Sequence, residues 1–402
     1  MNIVRLTTRI YPDLSGPAVY AFMLSKYVSG QDFRIFNISS RFDPFRKKEK
    51  NINRYFNIYY LSTLVPTEDD SISKKVKFIS TFIIFSFKKI LQLHRKHRID
   101  LIHCDNPSIT GVVALIFNYI FKIPFIYTQH GLDSPYKLDY LLELRPINSR
   151  SIYHIIITRN MLAYFEKNNA DTRKMIWIPN GIEMSKFFHV RNYNEKSRII
   201  KELELSKVIE VNGFIIVYIG QMVIEQKVKG MIDFLHGLNL FLGALTENEK
   251  KIVKLLFLGK GLYSNLLESE IRELRLENNV FLLGERKKVE NFYAISDISA
   301  LTSHVEGFPT VVLESIASGV PCIATDVGEI RQLLDKNLLV PVGNREKIAE
   351  LLKRLFIDKK LREELVKNSL ELVKRFDWKN IAKIIKNVYL NVKNEKAFPR
   401  AL

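Results

Sequence analysis

Positions 306 to 314 of the chain read Glu306-Gly307-Phe308-Pro309-Thr310-Val311-Val312-Leu313-Glu314. The stretch follows an apolar run, Ile298 to Leu301, and leads to Gly319 and Pro321. Proline just inside a helix start and glycine just past a helix end are common boundaries, so the sequence predicts a short helix from about Pro309 to Ser318. The first backbone amides of such a helix lack internal partners and carry partial positive charge, and they therefore suit a phosphate group.

Two glutamates flank this predicted anion site. Glu314 falls in the second turn of the helix, where its carboxylate can accept two hydrogen bonds from a vicinal diol such as a ribose. Glu306 lies in the preceding loop and can accept hydrogen bonds from a second polyhydroxyl group. Two carboxylates would repel a lone phosphate, but they fit a nucleotide sugar, which is hydroxyl-rich at both ends and anionic in the middle. The alternative is a buried strand–helix unit whose glutamates cap or solvate the helix.

This pattern, two glutamates bracketing Gly-Phe-Pro, resembles the signature of retaining glycosyltransferases of family 4 (glycosyl transferases group 1), typified by sucrose and mannosyl transferases. The resemblance implies an α/β protein of the GT-B class, with two doubly wound Rossmann-like domains and a cleft between them. It implies that the second domain binds a UDP-sugar or GDP-sugar donor and that the first brings the acceptor. It also implies that Glu306 is a catalytic residue that orients the sugar, and that Phe308, Pro309, Thr310 and Glu314 contact the donor nucleotide.

Composition restricts the class of protein. A chain of 402 residues, 47% hydrophobic and 26% charged, is long for one domain and sufficient for two. The net charge of +18 indicates an anionic partner, namely a nucleotide diphosphate, acidic lipid or nucleic acid. Nucleic acid is the weakest of the three, because the basic residues are dispersed and no zinc-finger or RRM-type signature is present. Cys104 and Cys322 lie far apart, which argues against a disulfide scaffold and fits a reducing, cytoplasmic compartment.

Two positions in the first half match the family pattern. Gly16 precedes Pro17 at a predicted helix start, where the family usually has a glycine pair whose backbone approaches the donor diphosphate. His130 follows a buried run at the carboxyl end of a predicted parallel strand, where α/β sheets bind ligands. The resemblance gives His130 a positional and electrostatic role near the sugar and diphosphate. The alternatives are a tight turn without a ligand at Gly16 and a purely structural histidine at position 130.

The segment 72–98 has helical spacing and mixes apolar residues with lysines. One side is predicted to pack on a sheet and carries Val76, Ile79, Ile83 and Ile90. The opposite side carries Phe78, Phe82 and Phe85 among lysines, which suits the surface of an anionic bilayer. The alternative is a helix buried on both sides. The apolar core of the segment is too short for a membrane span, which takes about 20 residues.

Strands and helices alternate along the chain, which is typical of parallel sheets covered on both faces. The turn Pro179-Asn180-Gly181-Ile182-Glu183 is similar to the one that ends the first domain in the family, and a polar stretch follows it. The sequence therefore predicts an N-terminal, acceptor-side domain over 1–190 and a nucleotide-sugar-binding domain over 191–375. The segment 376–402 is predicted to form a helix that crosses back to the first domain.

The second domain is predicted to open with a buried strand that ends at Gly220. The family follows this glycine with an arginine and, later, with a lysine–glycine pair, and both basic side chains bind the diphosphate. Here Gln221 stands at the arginine position, and the pair Lys229-Gly230 comes further along than usual. The resemblance makes Lys229 the phosphate ligand and a catalytic group, with Gly220 and Gln221 beside the donor. Gln221 leaves three options open: compensation by Lys227, an unusual donor, or slow catalysis.

The predicted reaction transfers a sugar, with retention, to a glycan or lipid-linked acceptor, with the enzyme peripheral at the cytoplasmic face of a membrane. Helix amides and Lys229 would stabilise the leaving diphosphate. The sequence has no Asp-x-Asp cluster suitable for Mg²⁺, so no bound metal is predicted, and no other cofactor is expected. Replacing Glu314 by Ala is expected to weaken nucleotide binding, and replacing Glu306 by Ala to lower turnover. The alternatives are a sugar-nucleotide epimerase or phosphorylase and, because of Gln221, a catalytically weak, membrane-associated binding subunit.

Overall fold

The computed structural model describes residues 1–10, 13, 15–41, 49–66, 70–105, 108–131, 146–167, 171–190 and 192–394. The chain forms two compact units: unit 1 comprises Met1–Gly181 and Trp378–Leu402, and unit 2 comprises Ile182–Asp377. Each unit is built on its own sheet.

The strands of unit 1 are β1 (Asn2–Leu6), β2 (Arg34–Arg41), β3 (Glu49–Asn53), β4 (Phe56–Leu64), β5 (Leu101–Asp105), β6 (Phe125–Gln129), β7 (His154–Ile156) and β8 (Met175–Trp177). Those of unit 2 are β9 (Phe214–Ile219), β10 (Val253–Leu258), β11 (Val280–Gly284), β12 (Ile298–Leu301), β13 (Cys322–Thr325) and β14 (Leu339–Val340). The strand order in the described residues is β3-β4-β2-β1-β5-β6-β7-β8 in unit 1 and β11-β10-β9-β12-β13-β14 in unit 2. Strand β3 is antiparallel to β4, and the other paired strands are parallel.

The helices follow in chain order. They are α1 (Gly16–Val28), α2 (Ile72–His97), α3 (Ser108–Phe121), α4 (Asn160–Lys167), α5 (Tyr193–Glu202), α6 (Glu225–Gly243), α7 (Glu247–Ile252), α8 (Ser264–Glu273), α9 (Val289–Ile295), α10 (Thr310–Ala317), α11 (Arg345–Ile357), α12 (Lys359–Lys374) and α13 (Trp378–Lys393). Most lie between two parallel strands, which need a crossover connection of this kind.

The sheet of unit 1 is covered on both faces. Helices α2 and α3 supply Phe82, Ile90 and Phe117 to the core on one face. Helices α1 and α13 supply Leu24 and Ile385 to the core on the other face. Burial on both faces explains why the strands read as continuous apolar runs, and the predicted doubly wound α/β architecture is confirmed for this unit.

The sheet of unit 2 is also covered on both faces. Ile215 and Val217 of β9 belong to a core with the residues of α5 and α9. Phe214, on the opposite face of the same strand, packs with its ring 5.1 Å from that of Phe356 in α11, and Phe356 also contacts Phe241 in α6 at 5.6 Å. Neighbouring residues of one strand thus serve two different cores, as expected from the alternation of side chains along a strand.

The unit boundaries differ from the predicted domain limits of 190/191 and 375/376. The chain passes from unit 1 to unit 2 at 181/182 and returns at 377/378. The segment before the polar stretch already packs on unit 2, since the Val190 amide donates to the Ala294 carbonyl at 3.2 Å and the Phe187 ring contacts Tyr293. The turn sequence at 179–183 was therefore the better marker of the boundary than the polar composition after it.

The last helix, α13, belongs to unit 1. It begins at Trp378, whose ring lies 5.6 Å from that of Tyr20 in α1. A Cβ atom on Gly181 would lie 2.7 Å from the Trp378 ring, so glycine at this position lets the chain pass close to the indole.

Helix α2 packs with a face that matches the predicted one only in part, since Ile90 is buried as predicted and Ile83 packs against the same core. Phe78 and Phe82 are buried, whereas Val76 and Ile79 are 57% and 40% exposed. Both stripes have helical spacing, and the stripe with the rings faces the sheet because aromatic side chains remove more apolar area from water. The described part of the chain contains no helix with the length and apolar character that crossing a bilayer requires.

Candidate functional site

The helix predicted after Glu306 is present as α10. It begins at Thr310, with Pro309 as the N-cap residue, and no side chain caps its first turn. Glu306 lies in the loop that joins β12 to α10, at the carboxyl end of a central strand of the sheet. The first amides of α10 are thus polarised groups of the kind that bind anions in α/β proteins.

Phe308 anchors this loop to the body of unit 2. Its side chain is 7% exposed, and its ring packs against that of Phe376 with the centroids 5.3 Å apart. The ring therefore packs inside unit 2 and does not project as a stacking surface. The contact between Phe308 and the donor nucleotide stays a prediction.

A glycine turn braces the Glu306 loop from the other side. Gly328 has a φ of +57°, which strongly favours glycine, and a Cβ atom there would lie 2.3 Å from the Glu306 carbonyl oxygen. The Glu329 amide donates to the Gly307 carbonyl at 3.3 Å. The Val327-Gly328-Glu329 turn therefore fixes the backbone from which the Glu306 side chain projects.

Lys227, rather than Lys229, lies beside Glu306. The Lys227 Nζ atom is 2.9 Å from Glu306 Oε2, and the two side chains are 28% and 8% exposed. The opposite charges balance each other, which lowers the repulsion that a lone carboxylate would exert on a diphosphate. An ammonium group is a compact donor that can serve either a carboxylate or a phosphate oxygen.

The packing of α6 determines which lysine reaches the loop. A Cβ atom on Gly230 would lie 2.0 Å from the Thr302 carbonyl oxygen, so glycine lets this helix touch the end of β12. The Thr302 hydroxyl donates to the Gly230 carbonyl at 2.6 Å. Lys227 precedes Gly230 by three residues, so the two lie on one side of the helix, toward the loop.

Lys229 lies on another side of α6. Its Nζ atom is 2.8 Å from Glu225 Oε1, and both side chains are more than half exposed. Because successive residues of a helix are about 100° apart, the lysine directly before Gly230 points away from the strand end that Gly230 contacts. Lys229, the residue predicted to bind the diphosphate, is therefore a surface residue in this structure, and Lys227 is the lysine that lies next to Glu306.

Gly220 and Gln221 follow β9 at the same edge of the sheet. Gly259 has a φ of +129°, and a Cβ atom there would lie 2.0 Å from the Gly220 carbonyl oxygen, so the ends of β9 and β10 touch through their backbones. Gln221 is exposed. The structure thus places the neutral amide at the carboxyl end of a central strand, as predicted from the family pattern.

Glu314 lies within α10, in its second turn, as the sequence predicted. Burial raises the pKa of its carboxyl group to about 7, and the nearby charge of Glu290 adds to the effect. A carboxyl group with this pKa changes its charge around neutral pH. Its ability to accept two hydrogen bonds from a diol therefore depends on pH in the physiological range.

A charged cluster that was not predicted from the sequence supports the same loop. Asp233 of α6 is 7% exposed, with Oδ2 2.7 Å from His304 Nε2 and Oδ1 accepting from Arg345 Nε at 2.8 Å. His304 also donates its backbone amide to the Gln226 carbonyl at 3.1 Å. These contacts tie α6 and α11 to the Glu306 loop. No sequence signal could have found them, since the partners of Asp233 are 71 and 112 residues away.

In unit 1, Gly16 is the first residue of α1 and is exposed. A Cβ atom at this position would meet nothing within 4 Å among the described residues, and the backbone has no positive φ. Packing and backbone geometry therefore do not require glycine here. Close approach of a ligand to the backbone stays the predicted reason for this residue.

His130 directly follows β6, and its side chain is 4% exposed. Its Nε2 atom lies 3.2 Å from Asp105 Oδ1, and Arg5 Nη2 donates to both Asp105 oxygens at 2.6 and 2.5 Å. Although burial acts to raise the pKa of Asp105, the Arg5 charge and the hydrogen bond to His130 lower it to about 2. Neither Arg5 nor Asp105 was identified from the sequence.

A second buried histidine lies beside this group. His103 Nδ1 is 2.7 Å from the Tyr389 hydroxyl of α13, and His103 Nε2 is 2.8 Å from the Thr128 hydroxyl. Burial, followed by the Arg5 charge, lowers the pKa of His103 well below its usual value, so this ring is neutral at physiological pH. Within the residues that the structure describes, no group of three or more His, Cys, Asp or Glu side chains could hold a metal ion.

Two family models match the chain, one in each half. The model described as "Glycosyltransferase Family 4" matches residues 14–186, and the model described as "Glycosyl transferases group 1" matches residues 200–372. The first match lies almost entirely in unit 1 and the second lies within unit 2.

The chain is also similar in sequence to individual glycosyltransferases and in fold to solved structures. It is 24% identical over 343 residues to the alpha-monoglucosyldiacylglycerol synthase of Streptococcus pneumoniae, covering 81% of this chain and 71% of that protein. Among solved structures, it is similar to the sucrose-phosphate synthase of Thermosynechococcus elongatus (TM-score 0.79, 17% identity, 98% and 100% of the two chains). It is also similar to Anabaena Alr3699/HepE in complex with UDP and glucose (TM-score 0.74, 18% identity, 97% and 100%). The two parallel-sheet units match GT-B structures, and the chain is a retaining glycosyltransferase of family 4.

Proposed function

We propose that this enzyme transfers a hexose from a UDP-sugar to a glycan or lipid-linked acceptor, with a GDP-sugar as the alternative donor. The observation that carries the proposal is the Lys227–Glu306 ion pair next to the start of α10, where no side chain caps the first turn. An ammonium group, polarised amides and a carboxylate together provide donors for a diphosphate and an acceptor for sugar hydroxyls. The HepE structure in complex with UDP and glucose supports UDP as the nucleotide.

The proposed reaction makes one bond and breaks one. The acceptor oxygen bonds to the anomeric carbon while the bond from that carbon to the diphosphate oxygen breaks, and the acceptor proton passes to the departing diphosphate oxygen. Lys227 and the first amides of α10 stabilise the negative charge that grows on the diphosphate. Glu306 accepts hydrogen bonds from the sugar hydroxyls and so holds the ring in a reactive orientation.

Lys227 can also supply the positive charge that is missing at position 221, where the family has an arginine. The neutral amide of Gln221 can hydrogen-bond a phosphate oxygen but cannot neutralise its charge. We propose that Lys227 supplies this charge by moving part of its hydrogen bonding from Glu306 to the diphosphate when the donor binds. Glu306 is then released toward the sugar by the same event.

We further propose that Glu314 binds the ribose diol of the nucleotide, as the family resemblance implies. The ionised carboxylate is the form that accepts two hydroxyl hydrogen bonds, and the raised pKa of about 7 places its titration in the assay range. This proposal makes nucleotide affinity depend on pH, with the stronger binding on the alkaline side.

The affinity for UDP-glucose is expected to fall roughly tenfold between about pH 8 and pH 6, because a group with a pKa near 7 loses most of its charge over this interval. Isothermal titration across that range measures the effect. The diphosphate of UDP-glucose is esterified at both ends and does not titrate here. The Glu314→Gln variant is the control and should bind weakly with little pH dependence; an equal pH dependence in this variant would contradict the role of Glu314.

The membrane association predicted from the sequence is retained as a proposal with a different face of α2. Its exposed side carries Val76 and Ile84, 57% and 50% exposed, together with the exposed lysines Lys77 and Lys88. Apolar side chains among lysines suit an anionic bilayer, where each basic residue contributes about 1 kcal/mol near the surface. The similarity to a glucosyldiacylglycerol synthase, whose name indicates a lipid product, supports a lipid-linked acceptor.

The wild-type enzyme is expected to co-sediment with vesicles of phosphatidylcholine and phosphatidylglycerol at low salt, and with vesicles of phosphatidylcholine alone much less. The Val76→Asp/Ile84→Asp variant should lose this binding, because it places charge on the inserted face. Leu262→Asp is the matched control, since Leu262 is 83% exposed in unit 2. Equal binding of all three proteins would exclude α2 as the docking helix.

The donor is tested by titration and turnover together. We expect UDP to bind more tightly than GDP in isothermal titration, and UDP to be released from at least one UDP-hexose by the wild-type enzyme. Slow release without an added acceptor, through hydrolysis, is sufficient for this purpose. Tight binding of UDP without any release from UDP-hexoses would favour the binding-subunit alternative, and tighter binding of GDP would reassign the base.

A further inference from the structure

Unit 1 contains a polar cluster on a largely apolar sheet face. The strand register pairs Arg5 of β1 with His103 of β5, and Asp105 of β5 with Thr128 of β6. Paired residues and residues two apart on one strand project from the same face, so these four side chains lie together at the carboxyl end of three adjacent strands. The other residues of this face on the same strands are buried and apolar, namely Ile3, Leu101 and Ile126.

Burying this polar cluster costs free energy that apolar residues in the same place would not cost. The Arg5 and Asp105 side chains are 0% and 1% exposed, and Arg5 Nε and Nη1 have no hydrogen-bond partner among the described residues. A buried ion pair with unsatisfied N–H groups is often no more stable than apolar residues of similar volume. Its placement at the carboxyl end of the strands, where such sheets bind ligands, indicates a role in function.

His130 is the residue on which the cluster acts. Asp105 Oδ1 lies 3.2 Å from His130 Nε2, and the Tyr20 ring meets the imidazole edge-on with centroids 4.8 Å apart. The Arg5 guanidinium lies over the same Tyr20 ring at 5.6 Å. We propose that Asp105, oriented by Arg5, is a positioning residue that fixes the ring plane and the tautomer of His130. This inference rests on the proposed function and on the role near the donor that the family resemblance implies for His130.

The direction of the hydrogen bond follows from the charge of Asp105. Arg5 and His130 hold the pKa of Asp105 near 2, so its carboxylate is ionised at neutral pH and can only accept hydrogen bonds. The hydrogen of a neutral His130 ring therefore resides on Nε2. The second ring nitrogen, Nδ1, is then an acceptor whose direction is set by Asp105 and Tyr20.

A double-mutant cycle on kcat separates positioning from general stability. Asp105→Asn and His130→Gln are each expected to lower the kcat of UDP release from the UDP-hexose that the enzyme uses about tenfold, and the double variant should also lose about tenfold. If Asp105 acted only through the stability of the fold, the effects of the two substitutions on kcat would multiply, and the double variant would lose about a hundredfold. Such multiplication, or an unchanged kcat in a folded Asp105→Asn variant, would overturn the proposal.

Two further variants guard against misfolding. Asp105→Asn leaves Arg5 as an unpaired buried charge, so the Arg5→Met/Asp105→Asn variant, which buries no charge, should be tested in parallel and should show the same tenfold loss. Asp297→Asn in unit 2 is the control for destabilisation, since Asp297 is bonded by Arg362 at 3.3 Å. It should lower the melting temperature and leave kcat unchanged.

The tautomer of His130 can be measured by NMR, independently of enzymatic activity. In protein labelled with ¹⁵N-histidine, long-range ¹H–¹⁵N spectra at about pH 8 should show His130 with its hydrogen on Nε2, assigned by the loss of this signal in His130→Gln. The pattern should change in Asp105→Asn, and an unchanged pattern would overturn the proposal. If the wild type releases no UDP, or if His130→Gln has full activity, the proposed function of His130 fails, whereas the spectra still decide whether Asp105 positions the ring.

Discussion

Replacing Glu306 by Gln is expected to lower the turnover of the nucleotide sugar about 100-fold while leaving the affinity for UDP within about threefold of the wild type. Glutamine keeps the shape of the side chain but removes the charge that pairs with Lys227 at 2.9 Å and that accepts the sugar hydroxyls. Free UDP carries no sugar, so its binding does not use this acceptor. The measurements are initial rates of UDP release from the UDP-hexose that the enzyme uses and isothermal titration with UDP.

Glu225→Gln is the matched control for this experiment. Glu225 also pairs with a lysine of α6, at 2.8 Å, but both side chains of that pair are more than half exposed. Exposed pairs contribute at most about 1 kcal/mol, so this variant should keep both turnover and UDP affinity. If Glu306→Gln kept wild-type turnover, or if it lost UDP affinity as strongly as it lost rate, Glu306 would not be the residue that orients the sugar.

The features that depend on local pattern were predictable from the sequence. The start of α10 after Pro309 follows from a residue with restricted backbone geometry. The parallel order of the strands follows from the alternation of apolar runs with helical segments. The family signature then named Glu306 and Glu314 as candidates, and the structure places Glu306 in the loop before α10 and Glu314 in the second turn of that helix.

The choice between Lys227 and Lys229 was not accessible in this way. Both lysines stand near Gly230, and the family pattern favours the one directly before it. The structure shows that Gly230 faces the end of β12, which turns Lys227 toward Glu306 and Lys229 toward Glu225. The rotation of a helix about its axis depends on tertiary packing, and a shift of two residues moves a side chain about 200° around the helix.

The same limit applies to α2 and to the cluster around His130. In α2, two overlapping stripes have helical spacing, and the structure buries the one with Phe78 and Phe82. In unit 1, Arg5 and Asp105 are 100 residues apart in the chain and meet only because β1 and β5 are neighbours. Arg5 was nevertheless a usable signal for a buried ion pair, because arginine rarely occurs inside an apolar strand without a charged or hydrogen-bonding partner.

Replacing Lys227 by Met is expected to lower turnover about 100-fold, the usual loss when one fixed donor to a growing negative charge is removed. The effect should be large here because Gln221 offers no second positive charge, so methionine leaves the helix amides as the main remaining electrostatic stabilisers. UDP affinity should also fall, in contrast to Glu306→Gln, since Lys227 is proposed to contact the diphosphate itself.

Lys229→Met decides between the two lysines of α6. Lys229 is 57% exposed and pairs with Glu225, so this variant should keep turnover and UDP affinity within about twofold of the wild type. Kinetics and UDP titration on both variants, with circular dichroism as the test of folding, give an unambiguous comparison. A large loss in Lys229→Met with a small one in Lys227→Met would restore the assignment predicted from the family pattern, and would mean that α6 rotates or unwinds its first turn when the donor binds.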